Sequence, residues 1–157
     1  MQDVSNVDED YSLWVLLNQA KDTMFAAREE ELRPYGTSPM QAAVLFIIQA
    51  IGSEATPAKI ARWLLRRPNT ISDLLDRMER AGLIRKTRDL DRKNTIRVTI
   101  TEKGLQAHND SMKLESVHRI MSCLSKEERQ QLRSYLERLR SEALKPPTVT
   151  TRQVPFP

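Results

Sequence analysis

The chain has 157 residues, of which 39% are hydrophobic, 5% aromatic and 29% charged, with a formal net charge of +4. That length can bury a real core in one domain, and abundant charge with few aromatics favours a helix-rich soluble protein over a β-sandwich. No apolar run approaches a membrane span, the N-terminus MQDVSNVDEDY is too acidic and polar for a signal peptide, and the single cysteine, Cys123, excludes an intrachain disulfide framework and fits a reducing cytoplasm.

The charge is unevenly spread. Between Lys59 and Arg97 twelve Lys/Arg stand against five Asp/Glu, a surplus of +7, whereas residues 1–58 carry −6 and residues 98–157 carry +3. A basic middle between less basic flanks is the footprint of a nucleic-acid face. It is equally the footprint of a solvated helix surface, and charge alone does not separate the two.

In chain order, residues 1–10 read as an acidic arm. From Tyr11, the apolar positions Leu13, Leu16, Leu17, Ala20, Met24 and Ala27 recur at three- and four-residue steps, widened by Trp14 and Phe25, predicting an amphipathic helix to about Leu32. Arg33-Pro34-Tyr35-Gly36 is a turn. Ser38-Pro39-Met40-Gln41 combines a cap, a proline for the first helical position and a capping-box partner, and the nearly all-round apolar helix that follows to Ile51 is predicted to be the buried one. Gly52 ends it. Thr56-Pro57 repeats the device for a short helix through about Leu65, with Ile60, Ala61, Leu64 and Leu65 facing inward.

The stretch from Pro68 to Ile100 organises the rest. Arg67 precedes a proline and is steered out of helical angles, so a helix restarts there, capped by either Arg67 or Asn69. Its inward stripe is Ile71, Leu74, Leu75 and Met78, and Gly82 supplies a left-handed stop. Two β-type runs follow, Ile84–Arg88 and Thr95–Ile100. Ile96, Val98 and Ile100 alternate with Thr95, Arg97 and Thr99, which predicts one buried face. The charged connector between the runs is longer than a minimal hairpin turn. Two short helices and such a hairpin make a winged helix-turn-helix. Thr101 caps a long helix through about Leu124, and Ser125-Lys126-Glu127-Glu128 is a capping box for a last helix with Leu132, Tyr135, Leu136, Leu139 and Ala143 as its stripe. Pro146-Pro147 ends it, and TVTTRQVPFP reads as a disordered tail. The fold class is mainly α with a small β-hairpin wing.

This order resembles the MarR family of bacterial transcription regulators. The residues that carry the likeness are Asn69-Thr70-Ile71-Ser72, Leu75-Asp76-Arg77-Met78-Glu79, Ala81-Gly82-Leu83-Ile84-Arg85, Asp91-Arg92-Lys93 and Val98-Thr99-Ile100-Thr101-Glu102-Lys103-Gly104. Lys93 departs from the arginine common after the Asp-Arg pair, keeping charge but losing the planar fork. The resemblance implies a flexible arm (1–10), an N-terminal dimerisation helix (11–37), a winged DNA-binding domain (38–100), C-terminal dimerisation helices (101–145) and a flexible tail (146–157). It also implies a homodimer whose recognition helices read half-sites about one helical turn, roughly 34 Å, apart.

On that reading Asn69, Thr70 and Ser72 reach base edges or phosphates, and Asp73 accepts from a cytosine amino group. Helix capping is the plain alternative for all four, Asn69 above all, with the helix dipole a further one for Asp73. Arg66, Arg67 and Arg77 suit phosphates. The family's equivalent of Arg92 inserts into the minor groove, with Asp91 orienting a neighbouring arginine and Lys93 beside it. Relatives bind small, often aromatic effectors between the dimer helices and the winged domain. Trp14, Tyr35, Met40 and Phe46 are candidate lining residues here, though apolar residues at helical spacing are more often core. Cys123 reads as an inert, partly buried thiol. His108 and His118, ten residues apart, would need further ligands to hold metal. No cofactor is implied. With no phosphate loop, nucleophile motif or metal set, an enzyme is not expected. A winged helix serving only protein contacts is the main rival, and it would need an apolar outer face on the fourth helix. RNA is disfavoured by the missing stacking aromatics.

Overall fold

The computed structural model describes residues 8–89, 91–93 and 95–146, so most of the expected acidic arm and nearly all of the expected tail lie outside the described residues. Seven α-helices and one hairpin are described: α1 (Glu9–Leu32), α2 (Pro39–Ile51), α3 (Pro57–Trp63), α4 (Pro68–Arg80), β1 (Ile84–Asp89), β2 (Thr95–Ile100), α5 (Glu102–Ser111), α6 (Glu115–Met121) and α7 (Lys126–Ala143). The chain divides into two compact units, residues 1–118 and 119–157.

Local capping chemistry sets most helix starts. Asp8 accepts from the Tyr11 N–H at 3.0 Å, and Ser38 and Gln41 close the expected capping box at 3.0 and 3.2 Å. Thr56 accepts from the Lys59 N–H, and Thr101 from the Gly104 N–H. In the second unit Ser125 and Glu128 form the box that starts α7. Each satisfies backbone donors that the first helical turn leaves without partners. After α4, Gly82 at φ 75° turns the chain, and the Leu83 N–H closes onto the Met78 carbonyl at 3.0 Å.

The core lies in the first unit, where α2 packs against α3, α5 and β2 while α4 packs against α3 and β1. Val44, Leu45, Ile60, Ile71, Leu75, Met78, Ile84 and Val98 are all buried. Each fully buried aliphatic side chain stabilises by about 1.5–3 kcal/mol. The long helix α1 contributes little to this core. Only Leu32 is buried along its length, while Trp14 and Leu16 are 64% and 59% exposed.

Three sequence expectations are corrected. Helix α3 ends at Trp63, and Leu65 points outward, 57% exposed at φ 51°. The turn into α4 needs a left-handed residue and no glycine is present, so Leu65 adopts that conformation with its side chain turned from the core. Ile96, expected inside, is 39% exposed, because the hairpin extends past the core beyond Val98. The long helix expected to reach Leu124 is two helices, broken at Leu114, which sits at φ 55°.

The break at Leu114 has a long-range cause. The Glu31 carboxylate of α1 accepts from the backbone N–H groups of Glu115 and Ser116 at 2.8 and 3.1 Å and from the Ser116 hydroxyl, capping α6 from outside. Arg28 pairs with Glu31 at 2.9 Å and donates to the Ser111 carbonyl at the end of α5. Burial acts to raise the Glu31 pKa, but the hydrogen bonds from Ser116, Arg28 and Glu115 together outweigh it and hold the group at about 2. A depressed carboxyl stabilises the fold above its unfolded pKa, near 4.5, and that contribution is lost as pH falls through the folded value. Urea midpoints should therefore drop between pH 4.5 and 2, and Glu31→Gln should flatten that part of the profile while lowering stability at pH 7.

Candidate nucleic-acid interface

Helix α4 is amphipathic, with Ile71, Leu74, Leu75 and Met78 buried and Asn69, Thr70, Ser72, Asp73, Asp76 and Arg77 exposed. The apolar stripe holds the helix to α3 and β1, so its polar face is a rigid surface. Arg67 is the N-cap, extended at ψ 140° and making no side-chain capping bond, with Pro68 in the first turn. Asn69 is thus inside the helix, and the capping explanation for it falls away. Asp73 lies in the second turn, beyond the reach of the dipole explanation. Both keep exposed polar side chains.

In the antiparallel hairpin Ile84 faces Ile100, Lys86 faces Val98, Thr87 faces Arg97 and Asp89 faces Thr95. Strand alternation then puts Ile84, Lys86 and Val98 on one face and Arg85, Thr87, Asp89, Arg97 and Thr99 on the other. Arg92 and Lys93 are exposed at the tip, and the Arg92 carbonyl accepts from the Thr95 N–H and hydroxyl at 3.0 and 2.6 Å. Asp91 is exposed there too. The acid that engages an arginine is Asp89, 2.7 Å from Arg97 Nε, rather than Asp91 as the resemblance implied. The Asp91 N–H donates to Asp89 at 3.1 Å.

The basic surplus therefore divides in two. Lys59 pairs with Glu54 at 2.6 Å, Lys86 with Asp76 and with Glu79 at 3.6 Å, and Arg97 with Asp89. The hydrogen bond from Lys86 holds the Asp76 carboxyl below its usual range, Arg97 does the same for Asp89, and Lys59 for Glu54. Among the described residues, Arg62, Arg66, Arg67, Arg77, Arg85, Arg88, Arg92 and Lys93 form no ion pair. These exposed cations flank the polar face of α4 and run out along the wing, an arrangement suited to polyanion backbones. The internal anchors Lys86, Asp76, Glu79, Arg97 and Asp89 were missed from sequence. The diagonal spacing of Asp89 and Arg97 in the hairpin was the one available signal.

Residues 35–93 match the family model described as the MarR family. Over that stretch, and in its overall fold, the chain is similar to the MarR family of regulators. The fold agrees with solved MarR-type regulators. The organohalide-sensing transcriptional regulator RdhR in its 2,4-dichlorophenol-bound form is 28% identical over 90% of this chain and 85% of its own, with a TM-score of 0.83. MepR of S. aureus in complex with DNA is 22% identical over 87% and 99%, TM-score 0.77. A mutant MarR from E. coli complexed with operator DNA is 19% identical over 88% and 99%, TM-score 0.78. No curated protein sequence matches. Members of the MarR family are transcription regulators rather than enzymes.

Of the candidate effector residues, Tyr35 lines a cleft of about 630 Å³ with Gln41, Leu83, Lys103, Gln106 and Asp110; Trp14, Met40 and Phe46 do not. The Tyr35 hydroxyl accepts from Lys113 at 2.9 Å, and the same ammonium lies 4.5 Å from the ring centroid. Met40 packs against the core, Phe46 is 48% exposed beside His108, and Trp14 lies on the outer part of α1. Cys123 is exposed, not partly buried. Among the described residues no group of three or more His, Cys, Asp or Glu could hold a metal ion, and no helix is long and apolar enough to cross a membrane.

Proposed function

We propose that this protein is a member of the MarR family and a sequence-specific double-stranded DNA-binding regulator, acting in the cytoplasm as a homodimeric repressor of a near-palindromic operator, with no enzymatic activity. One observation carries the reading: a helix locked to the core by four buried side chains offers short hydrogen-bonding groups outward, ringed by cations that form no ion pair among the described residues. An α-helix of that kind fits the major groove, where Asn69, Thr70, Ser72 and Asp73 meet base edges while Arg66, Arg67 and Arg77 meet phosphates. The wing, through Asp91-Arg92-Lys93, reaches the adjacent minor groove. The polar outer face of α4 argues against a purely protein-binding winged helix.

Dimerisation is supported by apolar surface that each unit leaves uncovered: Tyr11, Trp14 and Leu16 on α1, and Tyr135 and Leu139 on α7, all more than half exposed. Solvated apolar surface of this extent marks an interface. In this reading residues 11–37 and 101–145 hold two winged domains, residues 38–100, at half-site spacing. Release by a small aromatic effector is consistent with the dichlorophenol-bound RdhR relative. Sedimentation at micromolar concentration should give a dimer, and Leu16→Glu should shift it toward monomer. A monomeric wild-type protein would refute the assembly. Selection from random DNA should return a near-palindrome, and recovery of no common sequence would refute the operator-binding reading.

A further inference from the structure

The outer half of the wing has little apolar support. Ile84 and Val98 anchor its base in the core, and Lys86 ties that base to α4 through Asp76 and Glu79. Beyond Val98, Ile96 is exposed, and an isolated two-stranded hairpin is only marginally stable in water. Among the described residues, one side chain of this outer half hydrogen-bonds to the body. Arg97 donates through Nη1 to the Ser53 carbonyl, in the 3-10 turn Gly52–Glu54 that follows α2, and through Nε to Asp89 Oδ2 at 2.7 Å. The other oxygen of Asp89 accepts from the Asp91 N–H at 3.1 Å, one residue before Arg92. A continuous run of bonds thus leads from the end of the core helix to the tip.

We infer that Arg97 is the positioning residue of the wing, setting where Arg92 stands relative to α4 without touching DNA itself. The inference rests on the DNA-binding reading above. Arg97 also neutralises Asp89, which would otherwise present a bare carboxylate beside the incoming phosphates. Lysine could not replace it, since an ammonium lacks the fork that meets two acceptors in fixed directions.

The test is a double-mutant cycle on DNA selected by the wild-type protein, read by fluorescence anisotropy and hydroxyl-radical footprinting. Arg97→Ala should weaken binding tenfold or more, on the order of one charge-assisted hydrogen bond, and Arg97→Lys should recover only part. The footprint should fade at the flanking minor grooves and persist at the central major grooves. In an Arg92→Ala background, Arg97→Ala should cost little more, because it acts through that arginine. Costs that simply add in the cycle, or an Arg97→Ala protein with wild-type affinity, would overturn the inference. If Arg97→Ala does not fold, Asp89→Asn removes the same link and carries the same expectations. Failure of the wild-type protein to select any DNA would instead defeat the DNA-binding reading.

Discussion

Arg92→Ala is expected to weaken operator binding by about 30- to 100-fold, or roughly 2–3 kcal/mol, without lowering the melting temperature. Arg92 is exposed at the tip of a hairpin whose base is in the core, and its side chain forms no ion pair among the described residues. The fold gains nothing measurable from it. DNA would gain a guanidinium in its narrow groove, where negative potential is focused. Anisotropy titrations and differential scanning calorimetry on the same preparation check both halves. A fall in melting temperature that tracks the loss of affinity would mean that the wing is being unfolded, and unchanged affinity would remove the wing from the interface.

Gly104→Ala is expected to be the most damaging of the four glycine-to-alanine changes. Gly104 lies inside α5, where alanine is ordinarily the better helix former. Here a β-carbon would overlap the Leu83 carbonyl oxygen and stand 2.9 Å from both Leu83 C and Ile100 Cγ1. Leu83 O is already engaged by the Thr101 N–H at 3.1 Å, and the Thr101 hydroxyl donates to the Gly82 carbonyl at 2.6 Å. Backbone meets backbone, so no side chain can swing aside. Overpacking of this kind costs about 3 kcal/mol or more, equivalent to a fall in melting temperature of roughly 6–12 °C for a chain this size. An alanine variant that melts within a degree or two of wild type would show that α5 does not pack on the β1 entry as described. The same close approach explains why glycine follows Thr101-Glu102-Lys103 when the backbone angle does not demand it.

What could be read from sequence was local. Ser38, Thr56, Thr101 and Ser125 announce their helices because a cap is satisfied within three residues. The inward stripe of α4 repeats at helical spacing, and the likeness to MarR proteins rests on contiguous motifs. The misses came from partners distant in the chain. The break at Leu114 depends on Glu31, more than eighty residues earlier. Leu65 turns outward because the turn requires a left-handed residue, whatever side chain stands there. Ile96 alternates correctly, but alternation says nothing about how far the core extends. Counting charges between Lys59 and Arg97 overstated the available cations, since Lys59, Lys86 and Arg97 are held by acids brought near only by folding. The four proposed effector-lining residues are apolar and aromatic side chains, and of these Tyr35 lines the cleft beside α5.

Binding to the selected operator should depend steeply on salt. Contacts from Arg66, Arg67, Arg77 and the wing in both halves of a dimer predict that log affinity falls linearly with log salt, with a slope of about −5 or steeper. A slope near zero would mean that few phosphates are neutralised, and would contradict the assignment of α4 and the wing as a DNA-reading surface.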